Sequence, residues 1–255
     1  MVRLVTVLGP IDITLYDTEA PLTVANFLSY VNSGAYSNSF IHRSMPGFVI
    51  QGGGYTLNNA TLAAVPASAP VQNEFSTSRS NVRGTIAMAK VGSDPNSATS
   101  QWFINLADNA SNLDQQNGGF TVFGRISASG MKVADAIAAL QIVNAGSVFT
   151  NLPITSLPAS GSLGQGNLVM IESAVSQSDC LFNWAERTYP EYFSPAGAAS
   201  ATYAPYYYRY YSGTGNYLAT SAADNDIWVL GPSWGNNLLD VGPGAGLLTI
   251  AGCPQ

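Results

Sequence analysis

Charge is what this 255-residue chain has least of: Asp, Glu, Lys and Arg together make up 9% of it, against the quarter usual in globular proteins. What charge there is leans acidic, with a formal net charge of −6. Without a basic stripe to meet phosphates, the balance argues against a nucleic-acid partner, and equally against an anionic membrane surface. No apolar run approaches the roughly 18 residues of a membrane-spanning helix, so no membrane span is expected. Histidine occurs once, as His42, and cysteine twice, as Cys180 and Cys253. One histidine and two distant cysteines cannot furnish a zinc site. A Ser-His-Asp or Cys-His hydrolase would have to use His42, and no Gly-x-Ser-x-Gly elbow is present. Gly52-Gly53-Gly54 lacks the Lys-Ser/Thr that follows in a phosphate-binding loop. Asp224-Asn225-Asp226 lacks the glycine and terminal glutamate of a calcium loop and reads as a turn. Neither a metal nor a cofactor is expected. A secretory signal peptide is not visible, since Met1 leads almost directly into a strand-like pattern.

What is present is enough apolar material for a sizeable core, at 46% of residues. Val2 to Leu8 and Ile11 to Tyr16 alternate apolar and polar around Gly9-Pro10, which reads as a hairpin. Pro21 opens a helix in which Val24, Phe27, Leu28 and Val31 recur at helical spacing, with Gly34 as its stop. Short strands are expected at Phe48–Ile50, Gly84–Met88, Trp102–Leu106 and Thr121–Ile126. A second helix is expected at Met131–Leu140, with Val133, Ile137 and Leu140 on one face. A long Gly/Ser/Pro loop, from about Asn144 to Gly166, then precedes a last strand, Leu168–Glu172. Many strands with two helices and no regular βαβ alternation point to a mainly antiparallel barrel or sandwich. Ser173 to Ser178 reads as a linker. Beyond it lie a helix from Cys180 to about Tyr189, a tyrosine-rich strand at Pro205–Tyr211, and strands at Tyr217–Thr220 and Ile227–Leu230. Trp184, Trp228 and Trp234 are expected in the core of this module. Its size makes a staple useful. Two unrelated buried thiols are the plain reading of the cysteines. Their positions at the two ends of one module favour a Cys180–Cys253 disulfide, worth roughly 4 kcal/mol on a chain-entropy argument.

A chain so poor in acid, base and nucleophile can still catalyse rotation about an X-Pro bond, which breaks no covalent bond. The barrier, about 18–20 kcal/mol, comes from amide resonance. Lowering it needs a dry apolar pocket for the proline ring, a donor for a pyramidal prolyl nitrogen, and groups that hold the neighbouring carbonyls. The segment Phe40-Ile41-His42-Arg43-Ser44-Met45-Pro46-Gly47-Phe48-Val49-Ile50-Gln51-Gly52-Gly53-Gly54 closely resembles the signature of the cyclophilin family of peptidyl-prolyl cis/trans isomerases. Arg83 to Lys90, Ser97 to Ile104, Leu113-Asp114 and Phe120 to Gly124 resemble further family motifs, in order. The likeness covers residues 1–174 and is nearest the bacterial branch, by its short loops and the Asn105–Asn109 stretch. It implies a closed antiparallel β-barrel capped by two helices, followed here by a small α+β domain over residues 175–255.

Carried over by position, the resemblance implies that Arg43 is the catalytic cation. Phe48, Phe103 and Leu113 would form the proline pocket, with Val49 beside it. Gln51 and Gln101 would hold substrate backbone, and Ala89 and Lys90 would line the groove for the extended peptide. His42 falls where the family has a buried structural histidine, and Trp102 where it has a core aromatic. Phe120 stands where animal members carry histidine and many bacterial ones tyrosine, leaving the pocket an apolar wall without a polar edge. Asn112 stands where an aromatic linked to cyclosporin binding is common, which implies weak inhibition by that drug. The C-terminal segment resembles small modules of exported proteobacterial proteins. The expectation is therefore a periplasmic or secreted isomerase that acts on proline-containing segments of client proteins and whose signal is not part of this sequence. The rivals are a proline-peptide binding protein without turnover and a surface adhesin. Oligomeric state is left open.

Overall fold

Along β1 (Val2–Thr6), Val2, Leu4 and Thr6 are buried while Arg3 and Val5 are half-exposed, and β2 (Gly9–Leu15) folds back on it with Val2 opposite Ile13 and Thr6 opposite Gly9. The turn is Val7-Leu8, not the expected Gly9-Pro10, which lies within β2. Thr6 fixes it there: its hydroxyl donates to the Gly9 carbonyl at 2.7 Å and accepts from the Leu8 amide at 3.2 Å. Gly9, with φ of +124°, supplies a backbone angle that other residues resist.

The structure is a computed structural model. It describes residues 1–255 apart from 160, 199, 204–205, 222–225, 233–236, 243–246, 248–250, 252 and 254–255. Pro205, Trp234 and most of the expected Asp224-Asn225-Asp226 turn therefore lie outside the described residues. The chain divides into two units, Val2–Ala174, and Val175–Gln255 together with Met1.

The first unit is mainly β. Its further strands are β3 (Ser39–Phe40), β4 (Arg43–Met45), β5 (Val49–Gly52), β6 (Tyr55–Asn58), β7 (Thr61–Ala64), β8 (Thr85–Met88), β9 (Trp102–Asn105), β10 (Val122–Ile126), β11 (Gln141–Val143), β12 (Leu152–Ile154) and β13 (Met170–Ser176). Its helices are α1 (Pro21–Asn32), the short α2 (Ala110–Leu113) and α3 (Ala128–Ala138). One curled antiparallel sheet runs in the order β4-β5-β9-β8-β10-β2-β1-β13-β3-β6-β7, and β11 with β12 forms a separate hairpin. Strands β3 and β4 are one run of chain interrupted only by Ile41-His42. The Ile41 amide donates to Val169 O at 3.0 Å and the His42 amide to Gln51 O at 3.1 Å. The sheet therefore closes on itself through this segment.

The alternation of strands sends Leu4, Ile11, Ile13, Ile50, Ile86, Trp102 and Ile104 into one core, all fully buried. Helix α1 adds Val24, Phe27 and Val31, and α3 adds Met131, Ala134 and Ile137. The start of α1 is held from a distance, the Glu74 carboxylate accepting from the Leu22 and Thr23 amides at 3.1 and 2.7 Å. Helix α3 begins earlier than expected, because Ser127 caps it by accepting from the Gly130 amide at 3.0 Å. Its buried face is Met131, Ala134 and Ile137 at helical spacing; Val133 is half-buried, and Leu140 lies beyond the helix's end at Ala138 and is half-buried too. The expected linker is also overturned: β13 runs to Ser176 with Ala174 and Ser176 buried, and the next helix starts at Gln177.

The second unit packs α4 (Gln177–Thr188) on a sheet of β14 (Ser200–Tyr203), β15 (Tyr206–Tyr211), β16 (Asn216–Ser221), β17 (Ile227–Leu230) and β18 (Asn237–Gly242), antiparallel and in chain order. Leu181, Phe182 and Ala185 of α4 meet Tyr211, Leu218, Ile227 and Val229. Trp184 packs at the margin of this core, but Trp228 does not enter it. The alternation that buries Ile227 and Val229 puts Trp228 on the opposite face, edge-on to Tyr206 at 6.4 Å. In β15, Arg209 is 6% exposed and donates to Asp179, Asn183, Glu186 and Ser200 at 2.7–2.9 Å. Cys180 and Cys253 form a disulfide across 73 residues.

Candidate active site

The alternation that fills the barrel also builds a second, outward surface. Arg43 of β4 pairs with Gln51 of β5, Gln51 with Phe103 of β9, Phe103 with Ala87 of β8, and Ala87 with Val122 of β10. Residues paired across strands share a face, so these five stand in one row across the outside of the barrel. Val49, two residues from Gln51, shares it. Val49, Ala87, Phe103, Leu113 and Val122 form an apolar cluster distinct from the barrel core, with Phe48, Ala89 and Phe120 packed on it.

Above this cluster lies a cavity of about 340 Å³, lined by Arg43, Phe48, Val49, Gln51, Ala89, Lys90, Phe103, Asn112, Leu113, Gln116 and Phe120. The structure thus gathers nine of the ten sequence-predicted site residues around one space. The tenth, Gln101, stands one hydrogen bond behind: Arg43 Nη1 donates to Gln51 Oε1 at 3.2 Å, and Gln51 Nε2 donates to Gln101 Oε1 at 2.8 Å. Arg43 is half-buried at the wall, and burial pushes its pKa down. Its guanidinium keeps its charge in the working range and has donors to spare beyond Gln51. Phe103 and Phe120 meet edge to face at 5.7 Å, an apolar corner suited to a small ring.

His42 is 4% exposed and edge-on to Tyr55 at 5.2 Å. Burial, reinforced by the charge of Arg43, pushes its pKa down to about 4, against a hydrogen bond with Gln101 that favours the charged form. A neutral, enclosed imidazole is packing material here, as the resemblance implied. Gly52 and Gly53, already excluded as part of a phosphate-binding loop, serve the same packing. A Cβ on Gly53 would stand 2.4 Å from the Ser100 carbonyl, and one on Gly52 would stand 2.8 Å from the Trp102 ring. The chain crosses the buried indole there with no room for a side chain.

Sequence reasoning missed the polar frame behind the pocket. Asn105, fully buried, donates to Asn81 Oδ1 at 3.2 Å and Thr85 Oγ1 at 2.9 Å, and accepts from Asn109 Nδ2 at 2.7 Å. Asn109 also donates to the Phe48 carbonyl at 3.0 Å, and Asn81 to the Phe120 carbonyl at 3.0 Å and to Asp114 at 2.8 Å. One buried network therefore holds the backbone of two residues that line the cavity, Phe48 and Phe120. The only signal was the asparagine-rich Asn105–Asn109 stretch, whose partners lie far off in sequence. Lys90 also departs from expectation. It lines the cavity, but its ammonium binds the protein's own carbonyls at Asn117 and Gly119.

Residues 1–158 match the family model described as cyclophilin type peptidyl-prolyl cis-trans isomerase/CLD. The chain is 46% identical over 154 residues to "Peptidyl-prolyl cis-trans isomerase A" of Dickeya dadantii (strain 3937), which covers 60% of this chain and 77% of that protein. It is 41% identical over 133 residues to "Peptidyl-prolyl cis-trans isomerase B" of Escherichia coli (strain K12), covering 51% and 78%. Among solved structures, a cyclophilin type peptidyl-prolyl cis-trans isomerase of Cryptosporidium parvum, crystallised in the presence of the dipeptide Ala-Pro, superposes with a TM-score of 0.51. It covers 68% of this chain and 96% of its own at 23% identity, which shows a shared fold.

Proposed function

The chain belongs to the cyclophilin-type peptidyl-prolyl cis-trans isomerase family, and from that premise we propose that Arg43 is its catalytic cation and that its clients are proline-containing segments of exported proteins. The observation that carries the first part is a guanidinium, oriented by Gln51, at the edge of an apolar cavity of about 340 Å³. A prolyl ring seated against Phe103, Leu113 and Phe120 leaves water, and its peptide bond lies beside Arg43. In the ground state the prolyl nitrogen is planar and a poor acceptor. In the twisted state resonance is lost and the nitrogen gains a lone pair. A donor from Arg43 is then stronger in the transition state than before it, which is the condition for a higher turnover. Gln51 and Gln101 hold the flanking backbone, so that the peptide twists while its ends stay fixed.

Export is inferred from the second unit. The Cys180–Cys253 disulfide suits an oxidising compartment, periplasmic or secreted, and so does a surface poor in charge. The likeness of residues 179–255 to modules of exported proteobacterial proteins supports the same reading. The test is refolding under non-reducing conditions of a disulfide-bonded client whose slow phase is X-Pro isomerisation. The chain should speed that phase in catalytic amounts, and Arg43→Ala should not. A slow phase that is not speeded, with the chain still bound to the client, would favour the alternative of a proline-segment binding protein, for which Phe120 without a polar edge is the supporting feature.

A further inference from the structure

Lys90 follows the end of β8 and lines the cavity, yet its ammonium is turned onto the protein. Nζ donates to the carbonyl of Asn117 at 2.8 Å and to that of Gly119 at 2.6 Å, and stands 4.8 Å from the centroid of the Phe120 ring. The segment it grips is left-handed at three successive residues, Asn117, Gly118 and Gly119, with φ of 49°, 72° and 75°. The turn keeps one backbone bond of its own, from the Gly119 amide to Gln116 O at 2.8 Å, and its carbonyls depend on outside partners. Those partners are specific. Asn117 Nδ2 donates to Val91 O at 2.9 Å and Asp94 O at 3.3 Å, and Asn73 Nδ2 donates to Gly118 O at 2.8 Å and Gly119 O at 3.2 Å. Phe120 follows directly, and its ring packs edge to face on Phe103 to make the apolar corner of the pocket. A single ammonium therefore ties the end of β8 to the loop that carries one wall of the pocket, and lies over the ring of that wall.

We propose that Lys90 is a positioning residue of the isomerase site, setting the place of the Phe120 wall through the Asn117 and Gly119 carbonyls and thereby governing how tightly the prolyl ring is held. The role goes to binding and not to the twist, because Lys90 acts on the wall that seats the ring while Arg43 stands beside the reacting bond. The proposal rests on the isomerase reading only for the identity of the ligand.

Methionine at position 90 keeps the apolar stem and deletes the donors. Arginine keeps the charge and offers a planar fork that reaches two carbonyls. The experiment uses the full chain as wild type, Lys90→Met and Lys90→Arg. It reads the affinity for a fluorescent succinyl-Ala-Ala-Pro-Phe peptide by polarisation, and KM and kcat in an isomerisation assay with the same peptide. Lys90→Met should weaken affinity and raise KM by about five- to tenfold, the worth of one ordinary hydrogen bond, with kcat changed less than about twofold. Lys90→Arg should return both to within about threefold of wild type. Unchanged affinity in Lys90→Met, a fall in kcat with KM unmoved, or arginine as weak as methionine would each overturn the proposal. Should Lys90→Met fail to fold, Lys90→Leu, which also lacks donors, carries the same comparison. A wild type that binds peptide without turnover, with affinity still lost in Lys90→Met, would count against the isomerase reading and for this one.

Discussion

Replacing Asn105 by leucine removes every hydrogen bond the polar frame makes at this position while keeping the number and branching of side-chain heavy atoms, the two methyls taking somewhat more room. Asn105 makes three hydrogen bonds in a fully buried place. The substitution does not strand every partner. Asn109 Nδ2 retains the Phe48 carbonyl, and the Thr85 hydroxyl retains Val82 O. Among the described residues Asn81 Oδ1 accepts only from Asn105, and the substitution leaves it buried and unsatisfied. An orphaned buried acceptor costs about 1–3 kcal/mol and each of the two further lost bonds about 1 kcal/mol, so the sum is about 3–5 kcal/mol. At about 2–4 °C per kcal/mol for a unit of this size, the melting temperature should fall by roughly 6–20 °C in calorimetry. The same frame holds the Phe48 and Phe120 carbonyls, so the pocket walls should drift, and kcat/KM for a prolyl peptide should fall by about tenfold in the surviving folded protein. A melting temperature within about 2 °C of wild type would refute the satisfaction argument. A clear drop in stability with unchanged kcat/KM would refute the claim that the frame positions the walls.

Two other perturbations follow from buried charge. His42 is held neutral with its pKa pushed down to about 4, whereas in the unfolded chain it titrates near 6.5. Its contribution is intact above pH 6.5 and is lost as pH falls from there to about 4, by about 3 kcal/mol. Urea titrations across that range should show His42→Gln with a shallower acid loss than wild type, and equal slopes would contradict the assignment. Arg209→Met leaves Asp179 and Glu186 buried without their cation and should destabilise the second unit by about 3–5 kcal/mol in denaturant unfolding. A change under about 1 kcal/mol would mean that the network is not dependent on the charge.

Much of the barrel was legible because it is local. Pro21 and the Val24–Phe27–Val31 spacing gave α1, and strand alternation gave β1, β2, β8, β9 and β10 within a few residues. The hairpin turn was misplaced because Gly9-Pro10 carries the stronger turn composition, while a hydroxyl bond from Thr6 decides the matter. Strands β3, β4, β6 and β7 are absent from the sequence reading: at two to four residues each they are too short to show alternation, although β4 pairs with its neighbour β5 and β6 with its neighbour β7. The site was legible through the family likeness, because Arg43, Gln51 and Phe103 come together only by cross-strand register. The Asn81–Asn105–Asn109 frame joins the end of β9 to two loop residues, and lone asparagines carry no pattern that says which are buried. Lys90 looked like a solvated cation or a substrate contact. Only the left-handed loop at residues 117–119 shows what it holds.

The central claim is that Arg43, beside this pocket, lowers the barrier to X-Pro rotation. The direct measurement is isomerisation of succinyl-Ala-Ala-Pro-Phe by the wild type and by Arg43→Ala, each at known concentration and at a temperature where the uncatalysed rate is slow. The wild type should exceed the uncatalysed rate in proportion to its concentration, and Arg43→Ala should lose on the order of 10²–10³ in kcat/KM while still binding the peptide. A wild type with no rate above background, or an Arg43→Ala variant as fast as wild type, would contradict the account.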